Sequence, residues 1–177
     1  MRCYCVHEHG APLQQVERAI PTPTGTEVLV KVQAAGLCHT DLHLWDGYYE
    51  LGQGKRLSLA ERGVKPPLTL SHEISGEVVS YGEQVTDVIV GTQTLLHPWI
   101  GCGQCRYCLN EQENLCLKPQ QLGIVKPGGF AEYIVVPHPR YLVDLQGLDP
   151  VKAAPLACAG LTTFSALNKF SHRIERE

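Results

Sequence analysis

Residues 102–116 have the sequence CGQCRYCLNEQENLC, in which Cys102, Cys105, Cys108 and Cys116 follow the spacing C-x2-C-x2-C-x7-C. Four thiolates this close repel one another unless a cation neutralises them, and Zn2+ accepts four such ligands in a closed tetrahedral site. Disulfides are the alternative, but they rarely persist in the reducing compartment expected for a chain without a secretion signal. The spacing therefore predicts a structural zinc site, in a small lobe at about residues 98–120.

Composition excludes several classes of protein. The chain has 177 residues, of which 44% are hydrophobic and 19% charged, with a net charge of -3. These values are typical of one well-buried globular domain. The sequence contains no basic cluster and no apolar run of about 18 residues, the length of a membrane span. We therefore expect a cytoplasmic protein with neither a nucleic-acid partner nor a membrane partner.

Strand patterns dominate the first two-thirds of the chain. Apolar residues alternate with other residues in short runs, and glycine and proline separate the runs from one another. Several short strands at this spacing predict a mainly β fold, arranged as a compact β-barrel. The runs lie at residues 28–34, 76–80, 92–96 and 130–136.

Helix signals come late in the sequence. Asp149 followed by Pro150 predicts an N-cap and first helical position, and Pro155 is expected to end this short helix. A second helix is predicted over about 159–170, and the charged residues 171–177 are expected to fray.

The connection between residues 47 and 67 is long and contains Ser58-Leu59-Ala60-Glu61, the pattern of a one-turn capping box. A connection of this length fits the wall or lid of a binding site, and a flexible insertion is an equal alternative.

Cysteine and histidine also occur outside the predicted lobe. Cys38 opens the polar run 38–43, CHTDLH, directly after a strand, and His72-Glu73 follows another apolar run. Cys158 precedes a predicted helix, whose free N–H groups favour a thiolate. Each is more often structural when taken singly, but two sulfurs and one imidazole form the three-ligand set of a catalytic zinc. Cys3 and Cys5 alternate on the first strand and are interpreted as packing residues.

These motifs carry a family resemblance. The runs GLCHTDLH at 36–43, HE at 72–73, the lobe and PLACAG at 155–160 occur in one order. In this respect the chain resembles the N-terminal catalytic domain of zinc-dependent alcohol dehydrogenases of the medium-chain dehydrogenase/reductase family. The resemblance implies a GroES-like β-barrel over residues 1–170, with 171–177 as a tail. Zinc alcohol dehydrogenases are themselves the known example of a Cys2His catalytic zinc, so this ligand assignment rests on the resemblance.

The resemblance implies roles for the residues around the second site. Cys38, His72 and Cys158 would bind the catalytic zinc, and Glu73 would lie behind it as an occasional alternative ligand. Asp41 would accept the second imidazole N–H of His72 and so fix its tautomer.

It also implies a reaction. The family oxidises an alcohol to an aldehyde or ketone with hydride transfer to NAD or NADP, and uses two zinc ions per chain. Thr40 would bind the substrate hydroxyl and begin a proton relay to His43, while His39 would face the cofactor pyrophosphate. Trp45 and Tyr49 are candidates for the wall of the pocket for the alcohol or aldehyde substrate.

Some features depart from the family pattern. The sequence has no G-x-G-x-x-G run, so the Rossmann dinucleotide-binding domain is expected to be absent, leaving little activity in the isolated chain. The choices of alcohol and of NAD or NADP stay open. Ser71 stands where the family usually has glycine, and Thr92 follows Gly91 where aspartate is usual.

Two other functional classes were weighed. A non-catalytic zinc-binding or interaction module would recruit a partner, or a second copy in a homo-oligomer, through uncovered sheet edges. Such a module has little need for Thr40, Asp41, His43 and Glu73 beside its metal. A zinc-ribbon nucleic-acid binder disagrees with the acidic balance of the chain.

Overall fold

The computed structural model describes the backbone of residues 1–174 and the side chains of residues 1–170. Short strands occupy most of this part of the chain, and the longer helices flank them. The strands are β1 Arg2–Val6, β2 Gln14–Glu17, β3 Val28–Gly36, β4 Tyr48–Glu50, β5 Arg56–Ser58, β6 Leu68–Thr69, β7 Glu73–Tyr81, β8 Gln93–Leu96, β9 Tyr133–Val136 and β10 Leu142–Asp144. The α-helices are α1 His39–Asp46, α2 Arg106–Leu109, α3 Pro150–Ala153 and α4 Ala159–Ile174.

The strands form antiparallel sheets. The largest has the order β10-β8-β7-β3-β9, a second has the order β2-β1-β6, and β4 pairs with β5 as a separate hairpin. A bridge between Cys3 and Ala131 and a hydrogen bond from Tyr4 N to Phe130 O (2.8 Å) join β1 to the segment before β9. The predicted mainly β fold is confirmed.

The β3–β7 pair is the centre of the large sheet. Val30 and Val78 are fully buried and face each other in the register, and their cluster includes Ile74 and Leu96. Gly76 lies so close to β3 that an added Cβ would stand 2.2 Å from Lys31 O, which only glycine avoids. Close packing of this kind fixes the strands rigidly.

The register of this pair positions the candidate ligands. Gly36 at the end of β3 pairs with Glu73 at the start of β7. Cys38 follows Gly36 by two residues and His72 precedes Glu73 directly, so the strand pairing alone brings these side chains to one edge of the sheet.

A second hydrophobic cluster orders the 47–67 connection. Leu59 and Val64 are buried there with Leu44 of α1, and a 3-10 turn runs over Ala60–Arg62. Packing thus fixes Leu59 and Val64, while residues 50–56 are exposed, and the wall or lid and the flexible insertion both stay predictions for this connection. The predicted capping box is wrong, because Ser58 pairs with Tyr48 in the β4–β5 hairpin and the turn begins after Leu59.

The late helices follow the predictions in part. Asp149 caps α3 by accepting the Lys152 N–H at 3.0 Å, as predicted. α3 ends at Ala153, just before Pro155 as predicted, and a 3-10 turn over Ala154–Ala157, which accepts proline in its first positions, follows it.

The last helix is longer than predicted. α4 continues four residues beyond 170, and the apolar spacing at 161, 164, 167, 170 and 174 continues with it. The predicted fraying tail overlaps this end, and its residues 175–177 lie outside the described part of the chain. No helix within residues 1–174 has the length and apolar character needed to cross a bilayer.

Candidate functional site

Three side chains from distant parts of the sequence meet at one end of the large sheet. Cys38 is the N-cap of α1, His72 precedes β7, and Cys158 stands between the 3-10 turn and α4. One ligand atom from each lies within 4.8 Å of the others. The sulfurs of Cys38 and Cys158 are 3.8 Å apart, which matches the edge of about 3.8 Å of a tetrahedron with Zn–S bonds of about 2.3 Å.

The imidazole of His72 is the most informative member of this group. The residue is 1% exposed, and neither ring nitrogen has a hydrogen-bond partner among residues 1–170. A buried polar group without a partner is costly, and a metal ion supplies the partner that the protein does not. Burial raises the pKa of Cys158 to about 12, with the nearby Cys38 adding to the shift. A cation between the two sulfurs reverses that effect, so the residues fit a zinc ion.

Asp41 differs from its predicted role. Its carboxylate is fully buried, but its Oδ1 lies 3.7 Å from His72 Nδ1, beyond hydrogen-bond distance. The two oxygens accept instead the N–H groups of Cys38 (2.8 Å) and Ser71 (2.9 Å), which the backbone holds at fixed positions. Asp41 therefore orients the backbone of one ligand and of the residue before another.

The four cysteines of the lobe also converge. Sulfur–sulfur distances are 3.9 Å for Cys102–Cys108, 3.5 Å for Cys105–Cys108 and 3.9 Å for Cys105–Cys116. A disulfide would require about 2.05 Å, so these thiols are not paired covalently. The Cys116 sulfur accepts the N–H groups of Cys102 and Lys118. This donor set fits a closed tetrahedral zinc site.

The thiols of the lobe differ in acidity. The backbone N–H groups of Gln104 and Cys105 lower the pKa of Cys102 to about 6. Burial raises the pKa of Cys108 to about 12. Cys108 must therefore lose a proton when a metal binds, whereas Cys102 is already largely ionised at neutral pH.

Comparison with known proteins identifies the fold. Residues 24–147 match the family model described as the alcohol dehydrogenase GroES-like domain. The chain belongs to this family. The resemblance recognised from the sequence is thereby confirmed.

Relatives of this GroES-like domain are dehydrogenases. It is 42% identical over 171 residues to an NAD-dependent alcohol dehydrogenase of Saccharolobus solfataricus, covering 97% of the chain and 48% of that relative. It superposes on the D-arabinose dehydrogenase of Sulfolobus solfataricus with a TM-score of 0.82 at 35% identity, covering 99% of the chain and 50% of that protein. The cobalt- and zinc-bound alcohol dehydrogenase of Pyrobaculum aerophilum gives a TM-score of 0.72 at 31% identity, with coverages of 89% and 44%. The chain spans about half the length of the relatives it matches.

Glu73 of the GroES-like domain lies beside the three-ligand group. It is buried as the first residue of β7, and its Oε1 accepts the Ala159 N–H at 3.3 Å, next to Cys158. Gly36 gives it room, because a Cβ there would stand 2.4 Å from Glu73 Oε2. Its role as an alternative ligand stays a prediction.

The relay candidates lie on α1. The rings of His39 and His43, one helical turn apart, are 4.7 Å apart between centroids, and Tyr49 adds a third ring 4.6 Å from His43. His39 is exposed, whereas Thr40 and His43 are half-buried. The structure thus brings the rings of His39, His43 and Tyr49 together, and the roles of His39, Thr40 and His43 remain predictions.

Two aromatic residues have positions that the sequence interpretation did not anticipate. Trp45 packs against the second hydrophobic cluster and donates its Nε1–H to Ala11 O at 2.6 Å, and its place in the wall of a substrate pocket stays a prediction. Trp99 was missed, although its ring centroid lies 6.4 Å from that of His72. It lines a cavity of about 870 Å3 together with Thr162 of α4. The sequence signal that could have identified Trp99 is its position three residues before the predicted ligand Cys102.

The helix α1 was missed as well, although the sequence signals both of its ends. Asp41 accepts the N–H of the N-cap Cys38, and Gly47 ends the helix with a φ of 85°. Cysteine is an unusual N-cap, so the pattern did not resemble the common capping box.

Proposed function

We propose that this GroES-like domain is the catalytic part of a zinc-dependent alcohol dehydrogenase. In this proposal Cys38, His72 and Cys158 hold the catalytic zinc, and the four cysteines of the lobe hold a structural zinc. The observation that carries it is the convergence of three ligand atoms within 4.8 Å, one of them on a buried imidazole without a partner. Three protein ligands leave a coordination position open for a substrate.

The chemistry divides between bound groups and the chain. Zinc, when bound, supplies a Lewis acid that lowers the pKa of an alcohol, and a nicotinamide supplies the hydride acceptor that makes an aldehyde or ketone. Thr40 then accepts a hydrogen bond from the substrate hydroxyl, and His43 passes the proton towards solvent. The exposed His39 faces the cofactor pyrophosphate. Asp41 holds the backbone at Cys38.

The names of relatives support a substrate class. An NAD-dependent alcohol dehydrogenase and a D-arabinose dehydrogenase are both similar to the chain. We therefore propose a primary or secondary alcohol, including the hydroxyls of sugars, as the substrate, and NAD or NADP as the cofactor. The catalytic unit is residues 1–170, with the lobe at about 98–120.

Zinc stoichiometry tests the two-site arrangement. The chain should bind two zinc ions, and Cys158→Ser should bind one while its circular dichroism spectrum stays unchanged. Cys5→Ser is the matched control, because Cys5 is buried beside Thr69 Oγ1 at 3.3 Å, outside both groups of ligands. Two zinc ions in Cys158→Ser would contradict the assignment.

Catalytic competence needs a separate test. We expect alcohols to change the visible spectrum of the cobalt-loaded chain, because they occupy the open position, and Cys158→Ser to abolish the change. Reduction of NAD+ with the same alcohols should be followed in parallel at 340 nm. A cobalt spectrum that no alcohol or aldehyde alters would mean a closed, non-catalytic centre.

One observation favours a second candidate function, that of a non-catalytic interaction module. Helix α4 exposes Phe164 (68%) and Leu167 (70%), together with Phe170, on the surface. Exposed apolar surface of this kind marks an association site. Analytical ultracentrifugation of the wild type and of Phe164→Ser decides this point: association that requires Phe164, combined with a closed metal centre, would favour the module.

A further inference from the structure

Glu113 contacts both ends of the four-cysteine segment. Its Oε2 accepts the N–H of Gly101 at 2.9 Å, and Gly101 directly precedes the ligand Cys102. Its own carbonyl accepts the N–H of the ligand Cys116 at 3.0 Å. One residue therefore holds the entry and the exit of the segment that carries all four sulfurs.

Gly101 is held closely in this arrangement. A Cβ added there would stand 2.6 Å from Cys108 Sγ and 3.1 Å from Glu113 Cβ. The backbone before Cys102 is thus packed between a ligand sulfur and the Glu113 side chain. The Gly101 N–H has a fixed direction, and the carboxylate is its acceptor.

The other contacts of the Glu113 carboxylate lead into the barrel. Tyr141, which is 6% exposed in the hydrophobic core, donates its hydroxyl to Glu113 Oε2 at 2.8 Å. Arg140 donates to Glu113 Oε1 and also, at 2.7 Å, to the Tyr141 hydroxyl. The His97 ring stacks parallel to Tyr141 with centroids 6.4 Å apart.

We infer that Glu113 is a positioning residue for the four-cysteine metal centre, holding Cys102 and Cys116 at ligand spacing and anchoring the lobe to the barrel through Tyr141. Hydrogen bonds to a carboxylate are the stronger kind, and here they join the backbone before Cys102 to the barrel, while the Glu113 main-chain carbonyl holds Cys116. This role goes beyond the proposed function, which assigns only the cysteines. Loss of comparable outer contacts lowers metal affinity about 10- to 100-fold.

Metal release tests the inference without reference to catalysis. Glu113→Ala and Glu113→Gln are made in the Cys158→Ser background, which leaves the four cysteines as the metal site under observation. Zinc transfer to a chromophoric chelator is timed at a temperature where each variant stays folded. We expect release about 10-fold faster or more for Glu113→Ala and a smaller acceleration for Glu113→Gln.

Glu111→Gln is the matched control for the charge change. Glu111 is exposed in the same segment, and its carboxylate makes no hydrogen bond within residues 1–170. Its release rate should equal that of the background. The cobalt-loaded chains give a second measurement, because altered ligand positions shift the visible absorption for Glu113→Ala but not for Glu111→Gln.

The outcomes separate positioning from ordinary stabilisation. A lower melting temperature with unchanged release and an unchanged cobalt spectrum would overturn the inference. If Glu113→Ala does not fold, Glu113→Gln and Tyr141→Phe decide instead. Tyr141→Phe should also accelerate release, because it removes the hydroxyl that ties the Glu113 carboxylate to the barrel.

Discussion

At the scale of single residues, Ser71 has an unusual backbone for a buried serine. Its φ is 74°, a left-handed conformation that favours glycine. Three hydrogen bonds hold it there: its N–H donates to Asp41, its hydroxyl donates to Gly36 O at 2.9 Å, and its carbonyl accepts from Gly129. Because His72 follows directly, this strained position sets the direction of the imidazole.

Substitution of Ser71 separates strain from hydrogen bonding. Ser71→Ala keeps the strained φ and loses the hydroxyl contact, so it should lower the free energy of unfolding by about 1–2 kcal/mol. Ser71→Gly loses the same contact but relieves about 1–2 kcal/mol of strain. Glycine also raises the entropy of the unfolded chain, which offsets part of this gain. The Ser71→Gly variant should therefore be about 0.5–1 kcal/mol more stable than Ser71→Ala. Urea unfolding of the zinc-loaded variants measures their free energies of unfolding. A larger value for Ser71→Ala than for Ser71→Gly would contradict the prediction.

At the scale of elements, α3 and the 3-10 turn after it form the support that leads to Cys158. The Pro150 carbonyl accepts the hydroxyl of the buried Ser75 on β7 at 2.6 Å, which ties this support to the central strand. The Asp149 cap secures the first turn. A short helix depends strongly on such contacts because it has few internal hydrogen bonds.

Removal of the α3 cap should therefore be measurable. Asp149→Ala should cost about 1 kcal/mol of stability and lower the melting temperature by about 2–4 °C. Asp149→Asn is the matched control and should stay close to the wild type, because its side-chain oxygen still accepts the Lys152 N–H. Equal loss in both variants would show that charge, and not capping, matters at this position.

The proposed structural zinc would hold the lobe together. Leu109, Leu115 and Leu117 are all exposed, Leu117 by 84%, so the lobe has little apolar core of its own. Structural zinc sites contribute folding energy directly.

Opening the lobe site should thus unfold the lobe. Cys105→Ser removes one of four ligands, so amide hydrogen exchange in residues 102–116 should rise about 100-fold or more while β3 and β7 stay protected. Cys5→Ser should leave the lobe protected. Unchanged exchange in Cys105→Ser would mean that packing alone orders this segment.

At the scale of the whole molecule, folding and metal loading are coupled through protons. In the metal-free chain, burial holds the Cys108 and Cys158 thiols protonated at neutral pH, since their pKa values are raised to about 12. Cys102, with its pKa lowered to about 6, is already largely ionised. Zinc binds thiolates, so loading must displace the protons that remain.

The sign of the pH dependence follows from this. Because binding releases protons, the apparent zinc affinity of the metal-free chain should rise as the pH increases from 6 to 8. Calorimetry in two buffers with different heats of ionisation measures the number of protons released. Equal heats in both buffers would show that no thiol loses a proton, which would contradict the thiolate sites.

Much of the fold was predictable because its signals are local. Strand alternation, the glycine and proline breaks, and the Asp149-Pro150 cap all act over a few residues, and the structure confirms them. The predictions that were wrong concern segments whose structure depends on contacts between residues far apart in the sequence. Ser58 pairs with Tyr48 in a hairpin instead of capping a turn. Cys38 is the N-cap of α1, because the buried Asp41 accepts its N–H.

The two candidate metal sites differ in the same respect, namely how local their signals are. The sequence by itself determined the four-cysteine group, because its ligands lie within fifteen residues and their spacing limits how far apart they can be. The second group needs ligands from positions 38, 72 and 158, which the family resemblance suggested but no local pattern could bring together. Only the tertiary structure decided that they meet, that Asp41 binds backbone instead of His72, and that Glu113 joins the lobe to the barrel. The physical reason is that strand register and core packing set these distances, and both depend on residues far apart in the chain.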